Sequence, residues 1–192
     1  MALIDQHNNS SALPSIWFAT DGTDEQLKEG LDLLVANAAV SIMVIACGDN
    51  QHSPLQVKLC SGACTVPIFG GIFPGFFFEG KRYERGILLI GFPFSIQLDV
   101  YDNLSPEYLK IEQPSWQDGE AVNVAADLMI FVDSMAKATE SFINTLYETI
   151  GGGNHVIGGG AGTLDFVQRP CLFTRAGLLE NAALVVKLSV PL

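Results

Sequence analysis

Positive charge is scarce in this chain. Ten lysines and arginines stand against 21 aspartates and glutamates in 192 residues, a formal net charge of −11. That balance opposes the phosphate attraction behind non-specific nucleic-acid affinity, so nucleic acid and anionic membrane are excluded as partners. Charge of either sign is low, at 16% of residues against 48% hydrophobic, which excludes a disordered tail and points to strands buried on both faces. Long apolar runs are missing too. The longest, Gly86 to Leu98, is too short for a bilayer and holds Pro93 near its middle, so no membrane-spanning helix is expected. Residues 1–15 are polar, carry Asp5, and lack both the basic start and the apolar centre of a signal peptide; the expected location is cytoplasmic.

Cysteine and histidine are also few. Cys47, Cys60, Cys64 and Cys171 form no C-x-x-C pair, and free buried thiols are the plain reading. Cys60 and Cys64, four apart, would share a helix face and recruit Cys47 or His52 as metal ligands, but Gly62 breaks that helix. Neither metal nor cofactor is expected. His7, His52 and His155 sit in unrelated contexts, and no G-x-S-x-G, H-E-x-x-H or G-x-x-x-x-G-K-S/T motif occurs, so no catalytic function is expected.

What the chain does hold is glycine in an ordered pattern. V-P-I-F-G-G-I at Val66 to Ile72 returns as H-V-I-G-G-G-A at His155 to Ala161. Their surroundings match as well: I-M-V-I-A-C from Ile42 answers L-M-I-F-V-D from Leu128, and G-I-L-L-I-G-F from Gly86 answers A-A-L-V-V-K-L from Ala182. The offset grows along the chain, from 86 at Ile42 and Leu128 to 89 at Ile68 and Ile157 and 96 at Gly86 and Ala182. One duplicated unit loosened by loop insertions leaves such a drift. The expected organisation is a flexible leader over 1–14 and a single domain over 15–192, made of two pseudo-repeats at about 15–92 and 95–190.

Each half reads as strand, helix, strand, helix, strand, hairpin. Ile16 to Ala19 is a first strand; Thr23 with Gln26 forms a capping box for an amphipathic helix through about Asn37; Val40 to Cys47 is a buried strand. Ser53-Pro54 starts a short helix to about Ser61, Val66 to Phe69 is a strand closed by Gly70-Gly71, and Phe76 to Glu79 pairs with Gly86 to Phe92. In the second half Ile96 to Val100 opens, Asp102 to Gly119 is irregular, and a short helix up to Ala126 leads to the strand Leu128 to Asp133. Ser134 caps a helix stopped by Gly151-Gly152-Gly153, and Cys171 to Phe173 pairs with Ala182 to Leu188. The fold class is α/β, a mixed sheet with helices.

Glycines behind buried strands let a ligand approach the backbone, or let two backbones cross where no side chain fits. Asp133 and Ser134 lie at a strand end, a usual ligand position in open α/β sheets and equally an ordinary helix cap. The candidate ligand-binding residues are Gly70, Gly71, Gly158, Gly159, Gly160 and Gly162, with Asp133, Ser134, Arg175 and Cys47, the first-half counterpart of Asp133. His155, Asp165 and Arg175 flank the second glycine run as base, acid and carboxylate clamp, or as plain solvated groups.

The second half resembles the FIST N-terminal domain of bacterial signal-transduction proteins and some F-box proteins. The residues that carry the resemblance are L-M-I-F-V-D-S at 128–134, V-I-G-G-G-A-G at 156–162, P-C-L-F at 170–173 and A-A-L-V-V-K-L at 182–188. The first half departs from it, with F-G-G-I-F-P-G at Phe69 to Gly75 where the family shows G-C-S-T-A-G-E. The resemblance implies a sensory module for small molecules, amino acids among them, with a FIST C-terminal domain or signalling partner. The rival reading is a docking module whose Phe76-Phe77-Phe78 hairpin packs on a neighbouring domain or a second copy. A third is an enzyme using Gly158 to Gly162 as an anion cradle. The end at Pro191-Leu192, directly after a strand, is expected to be either a truncation or a junction into a following domain.

Overall fold

The computed structural model describes residues 13–50, 65–106, 111, 114–117 and 126–189. Most of the expected leader, the expected helices at 53–61 and before Ala126, and Cys60, Cys64, His7 and His52 lie outside the described residues.

Strand β1 (Ser15–Ala19) leads into helix α1 (Asp24–Ala36), and the capping box is present: Gln26 N donates to Thr23 Oγ1 and Thr23 N donates to Gln26 Oε1, each at 3.2 Å. Leu27, Leu31 and Leu34 then share one buried face. The β-branched run that follows is β2 (Ser41–Cys47), and β3 (Ile68–Phe73) lies parallel to it. The short hairpin β4 (Phe76–Phe78) and β5 (Lys81–Tyr83) precedes β6 (Ile87–Phe92), which enters between β1 and β2 and is antiparallel to both.

The second half runs through β7 (Ile96–Tyr101), β8 (Asp127–Asp133), α2 (Thr139–Ile150), β9 (His155–Ala161), the hairpin β10 (Leu172–Thr174) and β11 (Gly177–Leu179), and β12 (Ala183–Leu188). Strand β9 is parallel to β8, and β12 is antiparallel to both β7 and β8. Sheet order is therefore β1-β6-β2-β3 in one half and β7-β12-β8-β9 in the other, with β10-β11 added antiparallel to the outer edge of β3. Central registers correspond as well: Val44 lies between Gly70 and Leu89, and Ile130 between Gly158 and Val185. By this register the residue answering Ile68 is Val156, one place before the match read from the glycine pattern.

The result is four layers. Helix α1 packs on the six-stranded sheet beside Trp17 and Leu89, and that sheet's other face meets the four-stranded sheet through Phe69 and Phe131, whose rings lie 6.0 Å apart. Phe142, Leu146 and Ile150 of α2 cover the far face with Leu128, Ile130, Val132 and Val185. Hairpin β4-β5 closes part of the first sheet, its Phe76, Phe78 and Tyr83 gathered around Phe18.

Several local expectations change. Among the described residues the strands form two sheets and a separate hairpin rather than one sheet. The glycine pairs are not turns: Gly70-Gly71 and Gly158-Gly159-Gly160 lie inside β3 and β9, because backbone pairing to β2 and β8 continues through them. Both expected hairpins give way to tighter ones, β4-β5 and β10-β11, since β6 and β12 are drawn into the sheet centres by their apolar runs. Ser134 does not cap α2, which begins five residues later with Ala138 at the cap position and no side-chain cap bond.

Candidate functional site

Asp133, at the end of β8, is 1% exposed. Its Oδ1 accepts from Met135 N at 2.9 Å, and its Oδ2 accepts from Asn181 N at 2.6 Å and from Gln168 Nε2. The carboxylate thus ties β8 to the loop before β10 and to the approach to β12, and its oxygens are taken by the protein itself. Burial, with the charge of Asp133 and a hydrogen bond to it, pushes the nearby Cys171 thiol far up. Cys47 occupies the corresponding place in the first half: Cys47 N donates to Gly86 O at 3.1 Å as Asp133 N donates to Ala182 O at 2.9 Å. Its buried thiol donates to Tyr83 O at 3.6 Å and is pushed up to about 11 by burial, then by Asp49 and Glu84. Neither Cys47 nor Asp133 presents its side chain to solvent.

Ser134, the next residue, is exposed. Its N and Oγ both donate to Ala161 O, at 2.9 and 2.7 Å. With its proton so committed, the hydroxyl keeps lone pairs free to accept from a ligand. Two glycines keep this hydroxyl clear: a Cβ at Gly160 would fall 2.9 Å from Ser134 Cβ, and one at Gly162, where φ is +149°, 2.7 Å from Ser134 Oγ.

The remaining glycines divide by cause. At Gly70 (φ +129°) and Gly158 (φ +148°) an added Cβ would sit 2.0 Å from Val44 O and 1.8 Å from Ile130 O, so the sheet backbone alone demands glycine at both. Gly71 faces the other sheet, where an added Cβ would meet the Ala161 methyl at 2.8 Å; here two strands cross. Gly159 has nothing within 4 Å and is open to solvent. Of the candidates, Asp133, Ser134, Gly160 and Gly162 come together at the end of β8 and β9, with Thr163 alongside against Gly48.

The other polar candidates are dispersed. The His155 ring pairs with Asp127 Oδ1 at 2.8 Å, at the start of β8 and β9. Arg175 donates to Thr65 O at 3.3 Å, before the start of β3. Asp165 accepts from Thr163 Oγ1, from Val167 N at 3.3 Å and from Arg169 Nη2 at 2.6 Å, and these bonds, that of Thr163 first, hold its carboxyl below the usual carboxylate range. No group of three or more His, Cys, Asp and Glu side chains suited to a metal ion occurs among the described residues. No helix among them is long and apolar enough to cross a membrane.

Sequence reasoning missed the Thr163-Asp165-Arg169 cluster, although Thr-x-Asp directly after a glycine strand is a legible turn signal. It also missed Asn50, which holds the start of β6 from both sides: Nδ2 donates to Gly86 O at 2.6 Å and Oδ1 accepts from Gly86 N at 3.0 Å.

The family model for the FIST N domain matches residues 40–191. Among curated proteins nothing matches.

Proposed function

Because the chain belongs to the FIST N domain family, a family of sensory signal-transduction domains, we propose that it is a non-catalytic sensor whose small ligand binds at the end of β8 and β9 around Ser134, Gly160 and Gly162. The observation that carries this reading is the exposed Ser134 hydroxyl, its proton already given to Ala161 O and its surroundings held clear by two glycines. Such a group accepts from an N–H donor. The net charge of −11 favours an amine-bearing ligand over an anion, and an amino acid meets both conditions through its ammonium group. The identical order and direction of the strands in the two halves, with glycines of positive φ at Gly70 and Gly158 for the same steric reason, support our reading of them as copies of one duplicated unit.

Screening thermal stability against free amino acids, simple amines and carboxylates tests the reading, since a ligand for the native state raises the melting temperature with occupancy. Amine-bearing compounds should raise it and carboxylates without an amine should not. A rise confined to the carboxylates, or none across the amines, would count against it.

A further inference from the structure

Strand β9 is the outer strand of its sheet, and its corresponding strand β3 carries an antiparallel neighbour, β10. Bonds from His155 N to Ala126 O and from Ser134 N to Ala161 O fix which peptide groups of β9 face β8: those of the odd-numbered residues. Val156, Gly158 and Gly160 therefore direct N–H and C=O outward, and among the described residues nothing pairs with them. In β3 the matching position, Ile72, is bonded: its N donates to Cys171 O at 2.8 Å. Edges left open in monomeric proteins are usually blunted by lysine, proline or an inward charge, and V-I-G-G-G-A contains none of these.

We propose that two copies of this chain join through β9, antiparallel about a twofold axis at Gly158, to make one continuous eight-stranded sheet. The register pairs Val156 with Gly160 of the second copy and Gly158 with its equivalent, which joins every outward peptide group. It also sets Ile157, 49% exposed, opposite the second copy's Gly159, where an added Cβ finds open space; a large side chain meets an absent one twice over. Five paired residues alone bury less than a stable dimer needs, and the loop after β9 adds Leu164, Phe166 and Val167, exposed by 67%, 73% and 51%. Antiparallel pairing turns that loop toward the start of the other copy's β9 and its open Gly151-Gly152-Gly153 connection, and brings the other copy's His155 to the end that carries Asp165. The proposal stands apart from the ligand reading, because Ser134 lies on the side of β9 that faces β8.

Sedimentation velocity over a dilution series tests it. The wild-type chain should sediment as a dimer that salt strengthens, because each copy carries −11. Gly159→Lys puts its side chain into solvent in the monomer but under Ile157 in the dimer, and Ile157→Lys places a charge at the same contact. Both variants should keep the wild-type circular-dichroism melt recorded at a dilution where each is monomeric, and both should sediment as monomers where the wild type is dimeric. A wild type that stays monomeric at its highest soluble concentration would overturn the proposal. So would folded variants that dimerise as the wild type does.

Discussion

At the scale of single residues, Asp133 and Ser134 show how neighbouring polar groups diverge in role. Asp133 is buried and accepts from Met135 N, Asn181 N and Gln168 Nε2 besides the Cys171 thiol, so removing its carboxylate strands partly buried backbone N–H groups. Asp133→Ala is expected to cost about 3 kcal/mol in urea denaturation, the scale of one or two unsatisfied buried donors. Ser134→Ala, an exposed change, should leave stability within about 0.5 kcal/mol and act on ligand affinity alone. Cys47 supplies a pH test. Its folded pKa lies above the unfolded value of 9.0, near 11, so the folded state holds the thiol proton longer than the unfolded chain does. The contribution is fully present below pH 9 and is lost as pH rises toward 11. Cys47→Ser should flatten that alkaline decline, read from melting temperatures across the window.

Among elements, the glycine strands make the sharpest contrast. Gly70→Ala and Gly158→Ala each drive a Cβ into a backbone carbonyl at a left-handed φ, and either is expected to cost on the order of 4 kcal/mol, at the exceptional end for a point change. Gly159→Ala meets nothing within 4 Å and should be neutral or stabilising by up to about 1 kcal/mol. Chemical denaturation of the three variants reads the difference directly. What could be read in advance follows the same division between local and distant causes. Helix α1 was legible to its capping box because Thr23 and Gln26 act within one turn. The apolar runs marking β2, β6, β8 and β12 were legible as strands too. Their pairing was not: that β6 and β12 leave their neighbouring hairpins for sheet centres depends on contacts far along the chain. The glycine runs read as turns because composition cannot separate a turn from a strand whose partner's carbonyl comes close. Ser134 misled for a related reason, since a serine after a strand serves a helix cap and a bond to an adjoining strand equally well.

On the scale of the whole molecule, two sheets back to back hold the ends of two parallel strand pairs, β2-β3 and β8-β9, and the two ends differ. The first is filled: Cys47 is buried under β4-β5, and Asn50 clamps Gly86. The second carries Ser134 on a glycine floor, and it is at this end that we place the proposed ligand site. Titration of isotope-labelled protein with an amine-bearing ligand from the stability screen, followed by amide chemical shifts, tests this most directly. A site at Ser134 should give saturable shifts concentrated at Ser134, Gly160, Gly162 and Thr163, small shifts at Cys47 and Gly86, and binding weakened by about 1 kcal/mol in Ser134→Ala, one lost hydrogen bond. Shifts centred on the first half, or a Ser134→Ala variant that binds as tightly as the wild type, would contradict it.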